Sequence, residues 1–308
     1  MLNFLYLPFW FFKARILRKQ IPLQSVVFVS DRCNLQCKHC CAYSRGNNYK
    51  ISTFKEMKKE LEYCYNLGSR FVDFEGGEPF IWKDETDPND VKDINSLFQL
   101  AKEIGFFSTT VTTNAQIDFS NCKADSIWVS LDGLGDFHDA IRGKGAFDKL
   151  VKNISLSPHL HLSVNMVVNK LNYQSVKETI EFAKNNKNIE LISINFHTPF
   201  PGTEELELDK NIKYKIIDEV IDMKKQGYPI MNSVSGLRLM KRNDFKKYCW
   251  IANFVMADHS RYAQCQGKES GLCDRCGFCM AGEMNAIMSL KPDTIFAGIK
   301  LRVASLLK

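Results

Sequence analysis

Three cysteines lie within eight residues in the stretch CNLQCKHC, at 33–40. Cys33, Cys37 and Cys40 follow directly on the apolar run VVFVSD, whose composition predicts a buried strand. Three thiols at this spacing can surround one corner of an iron–sulfur cube, which normally takes four cysteine ligands. The arrangement therefore predicts a cluster with one iron open to an outside ligand.

Two other interpretations stay open on spacing alone. Structural zinc would need a fourth ligand, for which His39 and Cys41 are the adjacent candidates, although neighbours in sequence rarely converge on one tetrahedral ion. The other interpretation is that the spacing of these three cysteines is a coincidence. Elsewhere in the chain, Cys64 and Cys122, like Cys41, are predicted to be plain buried thiols.

A second group of cysteines lies between 249 and 282, where hydrophobic periodicity is lost. Its five members are the candidate ligands of a second metal centre: Cys249, Cys265, Cys273, Cys276 and Cys279. The last three are separated by two residues each, so a closed iron–sulfur cluster or a zinc site fits. Either of the two upstream cysteines can supply the fourth ligand, and the choice between them stays open. A segment of this composition is expected to need a metal to order it.

The 308 residues are 45% hydrophobic and 25% charged, which is an ordinary globular composition. Eleven cysteines in clusters, with no secretory cleavage pattern, predict a reducing, cytoplasmic environment. No stripe of Lys and Arg with interleaved aromatic residues is present in the body of the sequence, so nucleic acid is not an expected partner.

The elements that must position these cysteines alternate between β-rich runs and helical segments. Strands are predicted at 26–30, 70–77, 106–114, 126–133, 160–169 and 191–198. Helices are predicted at 53–68, 94–105, 147–156, 172–186 and 209–227. Six βα units in succession predict an α/β fold with a parallel sheet, either doubly wound or a partial barrel. The first cysteine group would then lie at the carboxyl end of the first strand, where such folds place their chemistry.

Several motifs at successive strand ends resemble those of the radical S-adenosylmethionine (radical SAM) enzymes. CNLQCKHC is similar to the CxxxCxφC signature of that superfamily, with His39 in the position that is usually aromatic. The other matching segments are EGGEP at 75–79, TTNA at 112–115, SLDG at 130–133 and HDAIRGKGAFDK at 138–149. Each is weak alone, but their order along residues 24–228 is highly specific. The resemblance implies a partial (β/α)6 TIM-like barrel with a Cys-rich C-terminal extension.

The resemblance also implies roles for the motif residues. Cys33, Cys37 and Cys40 would hold a 4Fe–4S cluster whose fourth iron chelates S-adenosylmethionine. A low-potential donor of the flavodoxin or ferredoxin type would reduce it, and cleavage would give a 5′-deoxyadenosyl radical. The residues expected to contact S-adenosylmethionine are Gly76, Gly77, Glu78, Pro79, Asn114, Ser130, Asp132, Arg142 and Asn165. Simple turn chemistry at a strand end is the alternative for Ser130 and Asp132.

The C-terminal cysteines resemble the SPASM or twitch-like tail of many radical SAM enzymes. Such a tail carries auxiliary iron–sulfur clusters, but five cysteines depart from the seven-cysteine SPASM pattern and suit one 4Fe–4S cluster with one thiol spare. The layout from 273 onward is also loosely similar to the adenosyl-hopene synthase group, which acts on polycyclic lipids.

The N-terminal segment combines the apolar block FLYLPFWFF with Lys13, Arg15, Arg18 and Lys19, which carry four of the six net positive charges. The block is too short to span a bilayer, and charges that follow it do not fit a signal peptide. It predicts peripheral contact with the inner face of the membrane. A hydrophobic helix packed on the body is the alternative.

Three domains are predicted, with a membrane-interface segment at 1–23, the radical SAM core at 24–228 and the Cys-rich extension at 229–308. The leading functional prediction is a radical SAM enzyme that modifies a membrane-associated lipid or isoprenoid. The alternative is a peptide-modifying enzyme with one auxiliary cluster, against which no leader-binding region is visible before residue 24. A non-catalytic metal-binding protein would have no reason to keep the GGEP and SLDG motifs at strand ends.

Overall fold

The computed structural model of the chain describes residues 2–40 and 50–306. The strands of this described part are β1 (Gln24–Phe28), β2 (Phe71–Glu75), β3 (Lys83–Asp84), β4 (Lys92–Asp93), β5 (Ser108–Thr113), β6 (Ser126–Ser130), β7 (Leu162–Val168), β8 (Ile192–Phe196), β9 (Ala252–Val255) and β10 (Arg261–Tyr262). The helices are α1 (Leu2–Arg15), α2 (Phe54–Leu67), α3 (Ile94–Ile104), α4 (Asp136–Arg142), α5 (Ala146–Leu156), α6 (Val176–Asn185), α7 (Lys210–Lys225), α8 (Val234–Arg242), α9 (Gln266–Glu269), α10 (Met280–Met288) and α11 (Pro292–Leu306).

The main sheet has eight strands in the order β10-β9-β1-β2-β5-β6-β7-β8. From β1 to β8 every neighbouring pair is parallel, and each new strand adds to the same side of the previous one. A doubly wound sheet reverses its strand order in the middle, whereas a barrel does not. The predicted partial (β/α)6 barrel is therefore confirmed, and the doubly wound alternative is excluded.

Local sequence signals explain the helix boundaries. Thr53 and Glu56 form a capping box at the start of α2, which satisfies backbone donors that the first turn leaves unpaired. Gly68 ends α2 and Gly105 ends α3, with φ angles of 115° and 114° that favour glycine. The ends of both helices at these glycines agree with the predicted helices at 53–68 and 94–105.

The two faces of the sheet differ in polarity because side chains alternate along each strand. One face packs on the helices through apolar residues such as Val27, Phe74 and Val164, and the Phe74 ring lies 5.3 Å from that of Phe98 in α3. The opposite face, which we call the polar inner face, carries Asp73, Glu75, Thr110, Thr112, Ser126, Ser130, Ser163, Asn165, Ser193 and Asn195. The helices therefore cover an apolar layer, while the inner face is mostly polar, although Phe28, Trp128 and Val167 also lie on it.

The C-terminal extension is built into the barrel instead of lying on it as a separate cap. β9 pairs in parallel with β1, so it adds a strand to the edge of the sheet where the first cysteine group lies. Gly277 donates its N–H to Thr198 Oγ1 and accepts a hydrogen bond from the N–H of Phe196, which fixes the Cys-rich stretch at the end of β8. The sequence prediction missed β9 because it is a four-residue strand within an irregular segment.

Helix α1 packs on this extension by one face. Trp10 and Ala14 are buried against Ile251 and Met288, and the Trp10 indole donates to the carbonyl of Ile21 at 2.8 Å. This contact agrees with the alternative prediction for the N-terminal segment, in which a hydrophobic helix packs on the body of the protein. Leu5, Phe9 and Phe12 lie exposed along the rest of the helix, and Ile16 lies exposed directly after its end, at helical spacing. In the described residues no helix has the length and apolar composition needed to cross a membrane.

Candidate functional site

The first cysteine group lies in the loop that follows β1, at the carboxyl edge of the barrel. The sulfur of Cys33 accepts hydrogen bonds from the Leu35 N–H at 3.5 Å and from Asn114 Nδ2 at 3.6 Å. The sulfur of Cys37 accepts one from Arg142 Nη1 at 3.8 Å. Hydrogen bonds of this kind are known to tune iron–sulfur clusters. Three half-buried thiols, two of which have such donors, therefore fit the predicted ligand set.

Two thiols of this loop lie where burial favours their neutral form. Burial raises the pKa of Cys33, and it raises that of Cys37 to about 11 although Arg142 opposes it. Because iron binds the thiolate, loading the site would release protons. Within residues 2–40 and 50–306, no three His, Cys, Asp or Glu side chains are close enough together to hold a single metal ion.

The two glycines of the GGEP segment contact the backbone at the start of the cysteine loop. Gly77 donates its N–H to the carbonyl of Ser30 at 2.7 Å, and a Cβ on Gly77 would lie 2.0 Å from the carbonyl oxygen of Arg32. Gly76 has a φ of 149°, and its Cβ would lie 2.4 Å from the Ser30 oxygen. The predicted contact of both glycines with S-adenosylmethionine stays a prediction; in the structure both approach the chain's own backbone closely. Both glycines thus position the loop that carries Cys33.

Glu78 and Pro79 complete this segment from inside the protein. The Glu78 carboxylate accepts hydrogen bonds from Phe80 N–H, Thr113 Oγ1 and Asn114 N–H at 2.8 to 3.1 Å. Pro79 is buried at the start of a short 3-10 turn. Glu78 therefore ties the end of β2 to the end of β5, and its contact with S-adenosylmethionine stays a prediction.

Asn114 and Asp132 link neighbouring strand ends to the cysteine loop. Asn114 Nδ2 donates to Asn34 Oδ1 at 2.8 Å, in addition to its contact with Cys33. Asp132 is fully buried and pairs with Arg142 Nε at 2.7 Å. Burial alone would raise the pKa of Asp132, but the Arg142 guanidinium holds it below its usual range. A charged pair therefore lies directly beneath the cysteine loop.

His39 occupies the position that is usually aromatic in the signature. Its Nε2 lies 3.7 Å from Asp132 Oδ2, and burial lowers its pKa to about 4 in spite of that carboxylate. The ring is therefore neutral at pH 7. Its Nδ1 is buried without a hydrogen-bond partner among the described residues. As a neutral planar ring, His39 can take the place of an aromatic side chain.

Ser130 and Asn165 are direct neighbours across β6 and β7, on the polar inner face. Asn195 Nδ2 donates to Asn165 Oδ1 at 2.7 Å, and Asn195 Oδ1 accepts the N–H of Cys279 at 2.8 Å. This chain of contacts joins the barrel interior to the Cys-rich stretch. Asn195 was not among the predicted site residues, although the alternation of polar residues in ISINF could have indicated it.

Glu75 is a second site residue that the sequence analysis did not single out. It lies on the inner face at the end of β2, paired in register with Phe28 of β1. Burial raises its pKa to about 7, although the Thr112 side chain stabilises the charged form by a hydrogen bond. The barrel therefore holds a carboxyl group that can change its charge near neutral pH.

The other cysteines are distributed as follows. Cys64 is buried in the main core, Cys122 is half-buried, and Cys41 lies outside the described residues. In the C-terminal group Cys276 and Cys279 are buried, while Cys249, Cys265 and Cys273 are half-buried. Lys213 Nζ donates to the carbonyl of Cys276 at 3.4 Å, so α7 also anchors this stretch.

A parallel partial barrel with three thiols at its carboxyl edge defines a protein suited to chemistry at an iron–sulfur centre. The family description of the Radical SAM superfamily matches residues 27–183, which is just over half of the chain. The chain belongs to the radical SAM superfamily of enzymes.

Similar proteins include the Fe-coproporphyrin III synthase of Methanosarcina barkeri, 26% identical over 70% of this chain and 58% of that protein. The mycofactocin maturase of Mycolicibacterium smegmatis is 27% identical over 49% of this chain and 38% of that protein. The chain thus spans about half the length of these two relatives. The fold matches that of Streptococcus suis SuiB, crystallised with S-adenosylmethionine, with a TM-score of 0.63 at 18% identity over 80% of this chain and 61% of that chain.

Proposed function

We propose that the chain cleaves S-adenosylmethionine reductively and modifies a polar substrate, a peptide or protein side chain. Cys33, Cys37 and Cys40 would hold the catalytic 4Fe–4S cluster. When bound, that cluster supplies the electron that splits S-adenosylmethionine into methionine and a 5′-deoxyadenosyl radical. The electron itself would come from a low-potential flavodoxin or ferredoxin type donor.

The observation that carries the choice of substrate is the polar inner face. Hydroxyl, amide and carboxyl groups face the barrel interior on five neighbouring strands, and many of them are only half-buried. A polycyclic hydrocarbon bound there would leave these groups without partners, at about 1–3 kcal/mol for each buried one. A peptide offers N–H and C=O groups that can pair with them. The inner face therefore favours the peptide alternative over the lipid prediction.

The comparisons support the same choice. One relative is named as a mycofactocin maturase, and SuiB has also been crystallised with its precursor peptide SuiA. Neither relationship extends to the full length of the other protein. The lipid or isoprenoid substrate of the leading prediction gains no support from these relatives.

The chain's own residues prepare the site for this chemistry. Asn114 and Arg142 place N–H donors on the sulfurs of Cys33 and Cys37. Gly77 and Glu78 fix the cysteine loop against the ends of β2 and β5. Ser130 and Asn165, at the mouth of the barrel, are proposed to bind S-adenosylmethionine. A second 4Fe–4S cluster in the Cys-rich stretch, next to β8, would complete the enzyme.

The test uses anaerobically reconstituted protein with dithionite and S-adenosylmethionine. We expect 5′-deoxyadenosine to form, and we expect a Cys33→Ala, Cys37→Ala, Cys40→Ala triple variant to form none. Peptide and lipid mass spectrometry on cells with and without the gene then tests the substrate class. A modified peptide supports the proposal, whereas a changed lipid with an unchanged set of peptides would overturn it.

We also propose, as a separate property, that α1 rests on the inner surface of the membrane. Leu5, Phe9, Phe12 and Ile16 form an exposed apolar stripe, and Leu5 is 68% exposed. Lys13 and the basic residues that follow suit an anionic surface. This contact would bring the enzyme to the membrane without requiring a lipid substrate.

A further inference from the structure

Glu75 ends β2 on the polar inner face of the barrel. The preceding residue, Phe74, packs into the core against Phe98, so alternation along the strand turns the Glu75 side chain to the opposite face. The following residue, Gly76, lies close against the backbone of Ser30, directly before the cysteine loop. The Glu75 carboxyl group therefore lies inside the barrel, beside the strand end that supports that loop.

The strand register places Glu75 in one layer with two aromatic residues. Phe28 of β1 is its partner on one side, and the register of β2 with β5, continued by one residue, places Thr112 on the other. Thr112 in turn pairs with Trp128 of β6. Each of these four residues is half-buried, so they line an open interior and not a sealed core. Because neighbouring strands lie about 4.8 Å apart, the backbones of Glu75 and Trp128 are about 9–10 Å apart, with only the small Thr112 side chain between them.

The Glu75 carboxyl group has no cationic partner in the part of the chain that the structure describes. The strands β1, β2 and β5–β9 contain no Lys, Arg or His. Of the ion pairs formed within residues 2–40 and 50–306, none involves Glu75, whereas Asp132 has Arg142. The Thr112 side chain donates a hydrogen bond to the charged form, but a carboxylate has room for several donors. A buried carboxylate in these surroundings would be stabilised by a bound cation.

A carboxylate beside aromatic rings is suited to bind an ammonium or a guanidinium group. The face of a Trp or Phe ring attracts a cation within about 6 Å of the ring centroid, and the attraction is stronger where water is excluded. A cation between Glu75 and Trp128 can meet the carboxylate and an aromatic ring together, and Phe28 adds a second ring beside the carboxylate. A peptide offers such cations in its Lys and Arg side chains.

S-adenosylmethionine also carries an ammonium group, but its proposed contacts lie in a different layer. Ser130 and Asn165 pair with each other two residues beyond Trp128 and Ser163, toward the carboxyl edge. Two residues along a strand correspond to about 6–7 Å. S-adenosylmethionine bound at Ser130 and Asn165 leaves the deeper layer, which contains Glu75, to the second substrate.

We infer that Glu75, together with Phe28 and Trp128, binds a Lys or Arg side chain of the peptide substrate. This inference rests on the proposed function and names the kind of side chain that the site selects. It gives a role in specificity to a residue that the sequence motifs did not single out.

The test titrates two capped tripeptides into the anaerobically reconstituted full chain with S-adenosylmethionine present. The central residue is lysine in one peptide and, in the other, norleucine, which has the same carbon chain without the ammonium group. We expect the lysine peptide to bind at least about 10-fold more tightly, and we expect Glu75→Gln to remove this preference. Asp73→Asn removes a carboxyl charge one layer deeper on the same face, so it is the matched control and should keep the preference.

Trp128→Leu is a second variant, which tests the aromatic part of the site independently and should reduce the lysine preference about 3-fold or more. Circular dichroism and iron content show that each variant is folded and loaded. Equal binding of the two peptides to the unchanged protein, or no binding of the lysine peptide at millimolar concentration, would overturn the inference. A folded Glu75→Gln protein that keeps the lysine preference would do the same, and a weakened affinity for S-adenosylmethionine in that protein would then assign the carboxylate to this ligand.

The peptide found by mass spectrometry in cells provides the second measurement. It should contain Lys or Arg at the modified position or next to it. A modified peptide with neither residue there would overturn this inference and leave the proposed function standing. A changed lipid with an unchanged set of peptides would instead overturn the proposed function itself, and the inference with it.

Discussion

At the scale of single residues, Glu75 is an acidic residue that lies inside the barrel. Burial raises its pKa to about 7 in the folded chain, from the ordinary value of 4.5. Folding therefore favours the neutral form of the Glu75 carboxyl group. The stability that the neutral carboxyl group contributes is present below about pH 4.5 and is lost as the pH rises through 7. Asp132 is also a buried carboxyl group, but its pKa is lowered because Arg142 pairs with it.

We therefore expect Glu75→Gln to raise the melting temperature at pH 8 by about 2–4 °C and to change it little at pH 4.5. Thermal melts of metal-free protein at the two pH values measure the difference. Glu85→Gln, at an exposed position, is the control and should show no pH-dependent change. Equal shifts at both pH values would show that the carboxyl charge is not the cause.

Gly77 gives a second prediction at this scale. Because a Cβ would lie 2.0 Å from the Arg32 carbonyl oxygen, Gly77→Ala must displace the cysteine loop. We expect the variant to lose the first cluster, about four irons per chain, while the C-terminal centre keeps its own. Gly298→Ala, whose Cβ would meet only Ile287 at 3.9 Å, should keep all the iron. A Gly77→Ala protein with a full iron content and normal cleavage of S-adenosylmethionine would contradict this role for the glycine.

At the scale of elements, the sequence predicted the repeating βα units closely because each has a strong local pattern. The predicted helix at 209–227 contains α7 (Lys210–Lys225), and the predicted strand at 160–169 contains β7 (Leu162–Val168). Short elements were missed, among them α4 (Asp136–Arg142) and β10 (Arg261–Tyr262). Elements of this length contain too few residues to show a hydrophobic periodicity.

The composition of helix α1 did not indicate which of its apolar residues pack within the protein. The apolar block predicted a membrane contact, but Trp10 and Ala14 are used for packing within the protein. Removing residues 1–20 would therefore damage the fold as well as any membrane contact. A test has to change the exposed stripe alone.

We expect a Phe9→Gln, Phe12→Gln variant to lose co-sedimentation with anionic vesicles while Trp10 stays packed. Each large side chain contributes about 1.5–3 kcal/mol when buried in lipid, so the loss of two should weaken binding about 100-fold or more. Leu160→Gln changes an even more exposed residue on the body, at 83%, and should bind like the unchanged protein. Equal sedimentation of both variants would show that the stripe does not contact lipid.

At the scale of the whole molecule, the sequence predicted the fold class and the carboxyl-edge location of the first cysteine group. It could not predict which residues face the barrel interior together, because that depends on the register between strands. Ser130 and Asn165 become neighbours only through the pairing of β6 with β7. For the same reason, the spacing of the C-terminal cysteines left open which of them meet.

The same pairing gives the last prediction, which concerns the boundary proposed at residue 228. β9 pairs with β1, Val255 and Cys276 contribute to the main core, and Met288 buries Trp10. A fragment of residues 1–247 would expose an unpaired edge of β1 and uncover these apolar contacts. We expect it to melt at a much lower temperature than the full chain, or without a cooperative transition, and to bind 1-anilinonaphthalene-8-sulfonate. Removing the two C-terminal residues is the control and should change neither property. A fragment that melts cooperatively at the temperature of the full chain would show that the barrel is a separate domain, as the sequence analysis predicted.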